Sequence, residues 1–143
     1  MRKVLVPIDA HAEARSRAAL DEAIALYLEE PVEIHLLNVQ IPVSGHVAMF
    51  FDIDALHANQ RECGKEELAP AQARLAAAGI PCKTHVSIGR SAESIARSAR
   101  QLGCDRILMG QGHGFGDRLF GTLAGQVRHL VGASGIHCTV TGA

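Results

Sequence analysis

Aromatic residues are scarce in this chain. Of its 143 residues, none is tryptophan, one is tyrosine and four are phenylalanine. Proteins that bind single-stranded nucleic acids commonly stack bases on aromatic side chains, and nucleic-acid binding sites carry clustered positive charge. Because the formal net charge here is -1, the composition predicts no nucleic-acid partner.

Long apolar runs and closely spaced cysteines are absent as well. No stretch approaches the ~20 apolar residues that a membrane span needs, and the apolar run in MRKVLVPID meets Asp9 too soon for a signal peptide. We therefore expect a cytoplasmic protein without a membrane partner, whose cysteines are reduced and hold no metal. The cysteines, none of which forms a CxxC pair, are Cys63, Cys82, Cys104 and Cys138.

Hydrophobic periodicity alternates between two patterns along the chain. Short apolar or alternating runs predict strands, and apolar residues at helical spacing predict helices. The predicted strands are 3–8, 32–39, 82–88, 106–110 and 136–142. The predicted helices are 12–28, 54–78, 91–102 and 122–131, with a kink or break expected at Pro70.

This alternation predicts an α/β fold. We expect one domain over residues 1–143, with a Rossmann-like open parallel sheet of five strands and helices on both faces. The expected strand order is 3-2-1-4-5. Alternating polarity suits an edge position for 82–88, and continuous apolar character suits a central position for 106–110.

Three separate features of the sequence would meet at one edge of this sheet. Ligands bind beyond the carboxyl ends of parallel strands, where the strand order reverses. Asp9 follows the first strand, Val39 ends the second, and a glycine-rich loop begins at Gly110. Glycine N–H groups and a helix N-terminus at Thr122 favour phosphate, whereas Asp9 can accept from an amine or a sugar hydroxyl. The pattern indicates a nucleotide site.

Other ligand-binding and catalytic motifs do not fit. The segment GDRLFGT has the outer glycines of a P-loop but no lysine before its threonine. The loop contains no GxGxxG, and the chain has neither GxSxG nor HExxH. The sequence therefore offers no convincing nucleophile or general base, and we expect ATP turnover to be slow or absent.

The motifs VPID, LLNV, GRSAESIARSA and DRILMGQGHGFGDRLFGTLAGQVRHLV together cover nearly the whole chain. With them the chain resembles the universal stress protein family. The resemblance implies a Rossmann-like fold, ATP or AMP as ligand, and a homodimer that pairs its last strands. The nucleotide-binding residues it implies are Pro7, Asp9, Val39, Met109, Gly110, Gly112, His113, Gly121 and Thr122.

The family pattern also assigns parts of the nucleotide to these residues. Asp9 would contact adenine or ribose, Val39 would offer its backbone to the base, and the loop up to Thr122 would bind the phosphates. In nucleotide-binding members this loop reads glycine, two residues, glycine, nine residues, glycine, then serine or threonine. Here Gly112 is the nearest match to the middle glycine and leaves eight residues before Gly121, so the loop is one residue short.

Several readings of these residues stay open. Asp9 can contact a ligand or cap the following helix, and the glycine loop can bind an anion or simply turn the chain. His113 and Arg118 can meet phosphates or face solvent, and only Asp9 or Asp117 could serve a Mg²⁺ ion. The apolar residues 49–51 can cover the crevice or a partner chain. We interpret His35, His57, His85, His129 and His137 as surface or satisfied histidines.

The functional hypotheses follow from these alternatives. The first is a small adenine-nucleotide-binding stress protein, a homodimer through its closing strand 136–142, in which the nucleotide acts as a regulatory ligand. The second is a dimeric interaction protein of the same fold whose crevice is empty. The third is a slow ATPase.

Overall fold

The computed structural model describes residues 1–43, 45, 49–50, 52–110 and 122–141. Within this part of the chain, strands and helices alternate as the periodicity predicts. The strands are β1 Lys3–Pro7, β2 Glu33–Gln40, β3 Cys82–Ile88, β4 Arg106–Gly110 and β5 His137–Thr141. The helices are α1 Glu13–Glu29, α2 Ile53–Ala77, α3 Ser91–Leu102 and α4 Leu123–Val131.

The strands form one parallel sheet in the order β3-β2-β1-β4-β5. The predicted order and the predicted edge position of β3 are therefore confirmed, as is the central position of β4. Val4 of β1 is in register with Ile34 on one side and with Arg106 on the other. The strand order reverses between β1 and β4, and the carboxyl ends of these two strands lie side by side.

Helices cover both faces of the sheet, as predicted. Val4 and Val6 of β1 pack into a core with α1 and α2, whereas Leu5 packs into a second core with α3 and α4. Because successive side chains point to opposite faces and both faces are buried, the central strands read as continuous apolar runs.

The helix α2 continues through Pro70 to Ala77, so the break expected there is not seen. Pro70 is exposed, while Leu68 and Ala71 beside it pack into the core. The kink that the sequence offers as the other outcome stays a prediction. The helix α3 begins at Ser91, as predicted, and its N-cap is Arg90.

None of the helices that the structure describes combines the length and apolar character that a membrane span requires.

Candidate functional site

β4 ends at the carboxyl edge of the sheet with Met109 and Gly110. Met109 is buried in the core on the α3–α4 side. Gly110 is buried as well, and the backbone of α1 lies directly against it. A Cβ atom here would come 2.5 Å from Cα of Arg15 and 2.6 Å from its carbonyl carbon. Close packing of α1 on β4 therefore requires a glycine at this position without any ligand.

Thr122 is the N-cap of α4. Its backbone is extended, with φ −76° and ψ 154°, and its Oγ1 accepts a hydrogen bond from the N–H of Gly125 at 2.9 Å. The first turn of a helix has N–H groups without intrahelical partners and carries a partial positive charge. The Thr122 O–H group is a donor in its own right, so capping is compatible with the donor role that the sequence predicts.

A cavity of about 220 Å³ lies between the end of β4 and the start of α4, and we name it the β4–α4 cavity. Arg15 and Arg128 bring positive charge to it, and none of the described residues that line it is acidic. The Nε–H of Arg128 donates to the carbonyl oxygen of Cys138 at 3.1 Å, which fixes this side chain beside β5. Two arginines and a helix N-terminus favour an anion. The described lining residues are Arg15, Met109, Gly110, Thr122, Leu123, Ala124, Arg128 and Val140.

Cys138, whose Sγ lies 4.0 Å from the carbonyl oxygen of the lining residue Ala124, is not poised for nucleophilic chemistry. Burial raises the pKa of the Cys138 thiol, although Arg128 acts in the opposite direction. A thiol with a raised pKa stays protonated at neutral pH, and only the thiolate is a good nucleophile.

Asp9 orders the turn that leads from β1 into α1. Its carboxylate accepts a hydrogen bond from the N–H of His11 at 2.8 Å, and its own N–H donates to Oγ of Ser16 at 2.8 Å. The N-cap of α1 is Ala12, without a side-chain cap. The alternative in which Asp9 caps the helix is therefore wrong, because its carboxylate bonds to the N–H of His11, which precedes the first turn of α1.

Asp9 lines a different cavity, of about 400 Å³, which opens between α1 and α2 and which we name the α1–α2 cavity. Its apolar residues come from both helices and from the end of β1, and its charged residues have both signs. The described lining residues are Ile8, Asp9, Ala10, Glu13, Ser16, Arg17, Leu20, Glu67, Pro70, Ala71 and Arg74.

A carboxylate of α2 in this second cavity is held by amide groups of β2. Oε2 of Glu67 accepts from Nδ2 of Asn38 at 2.6 Å and from Nε2 of Gln40 at 3.2 Å. Nδ2 of the buried Asn38 also donates to the carbonyl oxygen of Ile8 at 3.0 Å. These contacts fix the Glu67 carboxylate beside the end of β1.

The first turns of α1 lie between the two cavities. Glu13, Ser16 and Leu20 share one side of the helix and line the α1–α2 cavity, whereas Arg15 lines the β4–α4 cavity. The structure thus brings Met109, Gly110 and Thr122 together as predicted and places Asp9 across α1 from them.

The remaining predicted site residues lie elsewhere. Pro7 ends β1 opposite Leu37, and Val39 lies opposite Ser87, partly buried against the α3–α4 core. Neither is among the described residues that line the two cavities. Gly112, His113 and Gly121 lie outside the described residues, as do Arg118 and Asp117, so their predicted contacts stay predictions.

Sequence reasoning missed Arg15, Arg128 and Glu67. No pattern in the sequence singles out these residues, since their positions at the cavities depend on how α1, α2 and α4 pack against the sheet. Among the described residues, no group of three or more histidine, cysteine or acidic side chains is arranged to hold a metal ion.

Comparison with known proteins agrees with this architecture. No curated protein matches the chain. A universal stress protein family member from Burkholderia pseudomallei is 21% identical, with 99% of this chain and 96% of that one covered and a TM-score of 0.66. A family member from Arabidopsis thaliana, solved with AMP bound, is 16% identical, with coverages of 99% and 91% and a TM-score of 0.65.

A universal stress protein from Archaeoglobus fulgidus, solved in complex with dAMP, is 19% identical. The alignment covers 99% of this chain and 98% of that one, with a TM-score of 0.65. At these identities the structures show a shared fold. The sequence model of the Universal stress protein family matches residues 1–132, and this chain therefore belongs to that family.

Proposed function

We propose that this protein binds an adenine nucleotide, ATP or AMP, with the phosphates in the β4–α4 cavity. The observation that carries the proposal is the chemistry of that cavity. Arg15 and Arg128 line it together with the N-cap Thr122 of α4, and none of its described lining residues opposes an anion. A volume of about 220 Å³ suits a phosphate group better than a whole nucleotide, for which larger pockets are usual.

The relatives solved with AMP and with dAMP support an adenine nucleotide over other phosphates. In the proposal Met109 and Gly110 begin the phosphate site, Gly112 and His113 continue it, and the segment from Gly121 closes it. No role for Mg²⁺ is required, because the arginines already supply positive charge.

The adenosine half is proposed to contact Pro7, Asp9 and Val39. A nucleotide whose phosphates lie in the β4–α4 cavity would have to extend past the first turn of α1 for its adenosine half to reach Asp9. Of these three residues only Asp9 lines the α1–α2 cavity, whose volume of about 400 Å³ is within the usual size range for small-molecule sites. Asp9→Ala therefore tests the adenosine half separately from the phosphate half.

We further propose that the nucleotide acts as a regulatory ligand of a cytoplasmic homodimer in a stress response. β5 is an edge strand of the sheet, and an edge strand can pair with a second copy of the same strand. A ligand that binds one conformation better than another shifts the population toward it. Nucleotide bound beside β5 could in this way change a surface near the dimer contact.

Titration calorimetry with ATP and with AMP tests the nucleotide proposal. We expect micromolar binding, weakened about tenfold or more in Arg128→Gln, because a charge-assisted contact to phosphate is lost. Thr122→Val is expected to weaken binding, whereas Thr122→Ser keeps the hydroxyl and should bind as the wild type does. Arg61→Gln, which removes an exposed arginine of α2, is the matched control for Arg128→Gln. Absence of saturation at millimolar nucleotide would contradict the proposal.

A dimeric interaction protein that binds no nucleotide is the second candidate. It is favoured by the packing of Arg15 on Gly110, which accounts for one glycine of the loop without a phosphate. It is also favoured by the position of Asp9 in a separate cavity. Dimerisation without any nucleotide binding would support this candidate. Phosphate release that is abolished by Arg128→Gln would instead identify an ATPase.

A further inference from the structure

Polar side chains cluster at the amino end of β2 and β3, at the opposite end of these strands from the two cavities. Alternate residues of a strand share a face. Glu33 and His35 of β2 therefore share the α3–α4 side of the sheet with Lys83 and His85 of β3. His35 is in register with Lys83, so His35 and His85 are diagonal neighbours across the two strands.

Both ring nitrogens of His35 make short contacts, although the side chain is almost fully buried, at 3% exposure. Its Nε2 lies 3.0 Å from Oε2 of Glu33, and its Nδ1 lies 2.8 Å from Nε2 of His85. The two ring planes are inclined by 21° and their centroids are 5.1 Å apart. Stacked rings cannot bring two atoms within 2.8 Å, since carbon contacts are optimal at about 3.5–4.0 Å. The imidazoles therefore meet end to end, through an N–H···N hydrogen bond.

This contact can hold one proton between its nitrogens but not two. A carboxylate only accepts, so Nε2 of His35 carries a hydrogen toward Glu33. With both rings neutral, His85 donates to Nδ1 of His35. If His35 gains a proton, Nδ1 becomes the donor and His85 the acceptor, and the bond survives. When both rings are cationic, two N–H groups face each other at 2.8 Å and the bond is lost.

The charged groups around this contact keep Glu33 ionised. Glu33 also pairs with Lys83 at 2.9 Å and lies 3.8 Å from Lys3. The hydrogen bond from Lys83, followed by that from His35, lowers the pKa of Glu33 to about 2. Glu33 therefore remains an anion beside His35 over the whole range in which histidines titrate. Cys104, which follows α3, is also close enough to Glu33 to interact with it electrostatically, and Asp105 acts on Cys104 in the same way.

The surroundings of His85 disfavour its protonated form. Burial lowers its pKa, and the positive charges of His35 and Lys83 lower it further. The unfolded chain therefore takes up this proton at a higher pH than the folded chain does. The contribution of His85 to stability is present above its ordinary pKa and is lost as pH falls through the lowered value.

We propose that the Glu33–His35–His85 chain is a proton-sensitive tie that holds the edge strand β3 to β2 and releases it on acidification. Among the described residues, β3 has a neighbouring strand on one side only, so a side-chain hydrogen bond to β2 makes up a larger share of the contacts that hold it in the sheet. Acidification loosens β3 and the start of α3 that follows it. The device is independent of nucleotide binding and works in a protein whose cavities are empty.

Histidine NMR titration of the wild-type protein is the first test. We expect His35 and His85 to titrate as a coupled pair, each signal showing two steps, because the protonation of one ring changes the other. Protection of the β3 amides from hydrogen exchange should fall through the second step. Two independent single-step curves, or β3 protection that ignores the second step, would overturn the proposal. This test needs no variant.

A double-mutant cycle is the second test, with urea unfolding of the wild type, His35→Gln, His85→Gln and the double variant. At about pH 7.5, where histidines are largely neutral, the coupling between the two positions should change the unfolding equilibrium constant about fivefold, as one net hydrogen bond does. Below the pH of the second step in the NMR titration, the coupling should vanish or reverse. Equal coupling at both pH values would show a purely structural contact and refute the tie. His57→Gln, which removes a histidine of α2, is the control.

Discussion

Gly110→Ala is the substitution that most sharply separates the structural role of the loop's first glycine from a ligand-binding role. The added Cβ would lie 2.5 Å from Cα of Arg15 and 2.6 Å from its carbonyl carbon, inside the backbone of α1. A helix backbone cannot swing aside as a side-chain tip can, so α1 must move away from β4. Overpacking of this kind costs about 1–3 kcal/mol. The backbone of Gly110 itself is not strained, because its φ is not positive, and the whole cost arises from this contact.

Urea unfolding monitored by circular dichroism measures the effect. Gly45→Ala is the matched control, because a Cβ there meets nothing within 4 Å. We expect the control to be neutral or slightly stabilising, through the reduced entropy of the unfolded chain. A free energy of unfolding for Gly110→Ala within about 0.5 kcal/mol of the wild type would show that the packing of α1 on β4 tolerates a Cβ at this position. It would return this glycine to the ligand-binding interpretation.

Three further predictions concern single groups. Thr122→Ala should lower the free energy of unfolding by about 1 kcal/mol, because the cap to Gly125 is lost, and Thr122→Ser should restore it in thermal unfolding. In Glu33→Gln the free energy of unfolding should fall less steeply with pH between about 4.5 and about 2. The pKa of Glu33 is about 2 in the folded wild type, so the wild type loses the stabilisation from ionised Glu33 as pH falls through this range. Equal slopes for the two proteins would contradict this. Burial raises the pKa of Cys104 to about 11. Iodoacetamide near pH 8 should therefore alkylate the partly exposed Cys63 before Cys104. Mass spectrometry that finds Cys104 modified first would contradict this prediction.

The fold was predictable because burial on both faces of the sheet leaves a clear record in the sequence. The run RILMG predicts a central strand, and β4 spans the same residues, Arg106–Gly110. The helix α3 ends at Leu102, as predicted, and Gly103 after it adopts the left-handed conformation, with φ 72°. The break expected at Pro70 is not seen because the preference against proline inside a helix is local, whereas α2 is also stabilised by the tertiary packing of Leu68 and Ala71 beside Pro70.

The candidate site was predictable only in part. Strand ends that converge on one edge place Gly110 and Thr122 together, and topology alone accounts for that. Where Asp9 lies relative to them depends on how the first turn of α1 packs, and no periodicity reports it. The contact between His35 and His85 depends on the register of β2 against β3, and single residues carry no information about register.

A crystal structure of the protein grown with AMP would show directly where the phosphate binds. We expect the phosphate to lie in the β4–α4 cavity, within hydrogen-bonding distance of the Arg128 guanidinium and of the N-terminus of α4. An AMP phosphate bound elsewhere, or a β4–α4 cavity that holds only water at saturating AMP, would contradict it.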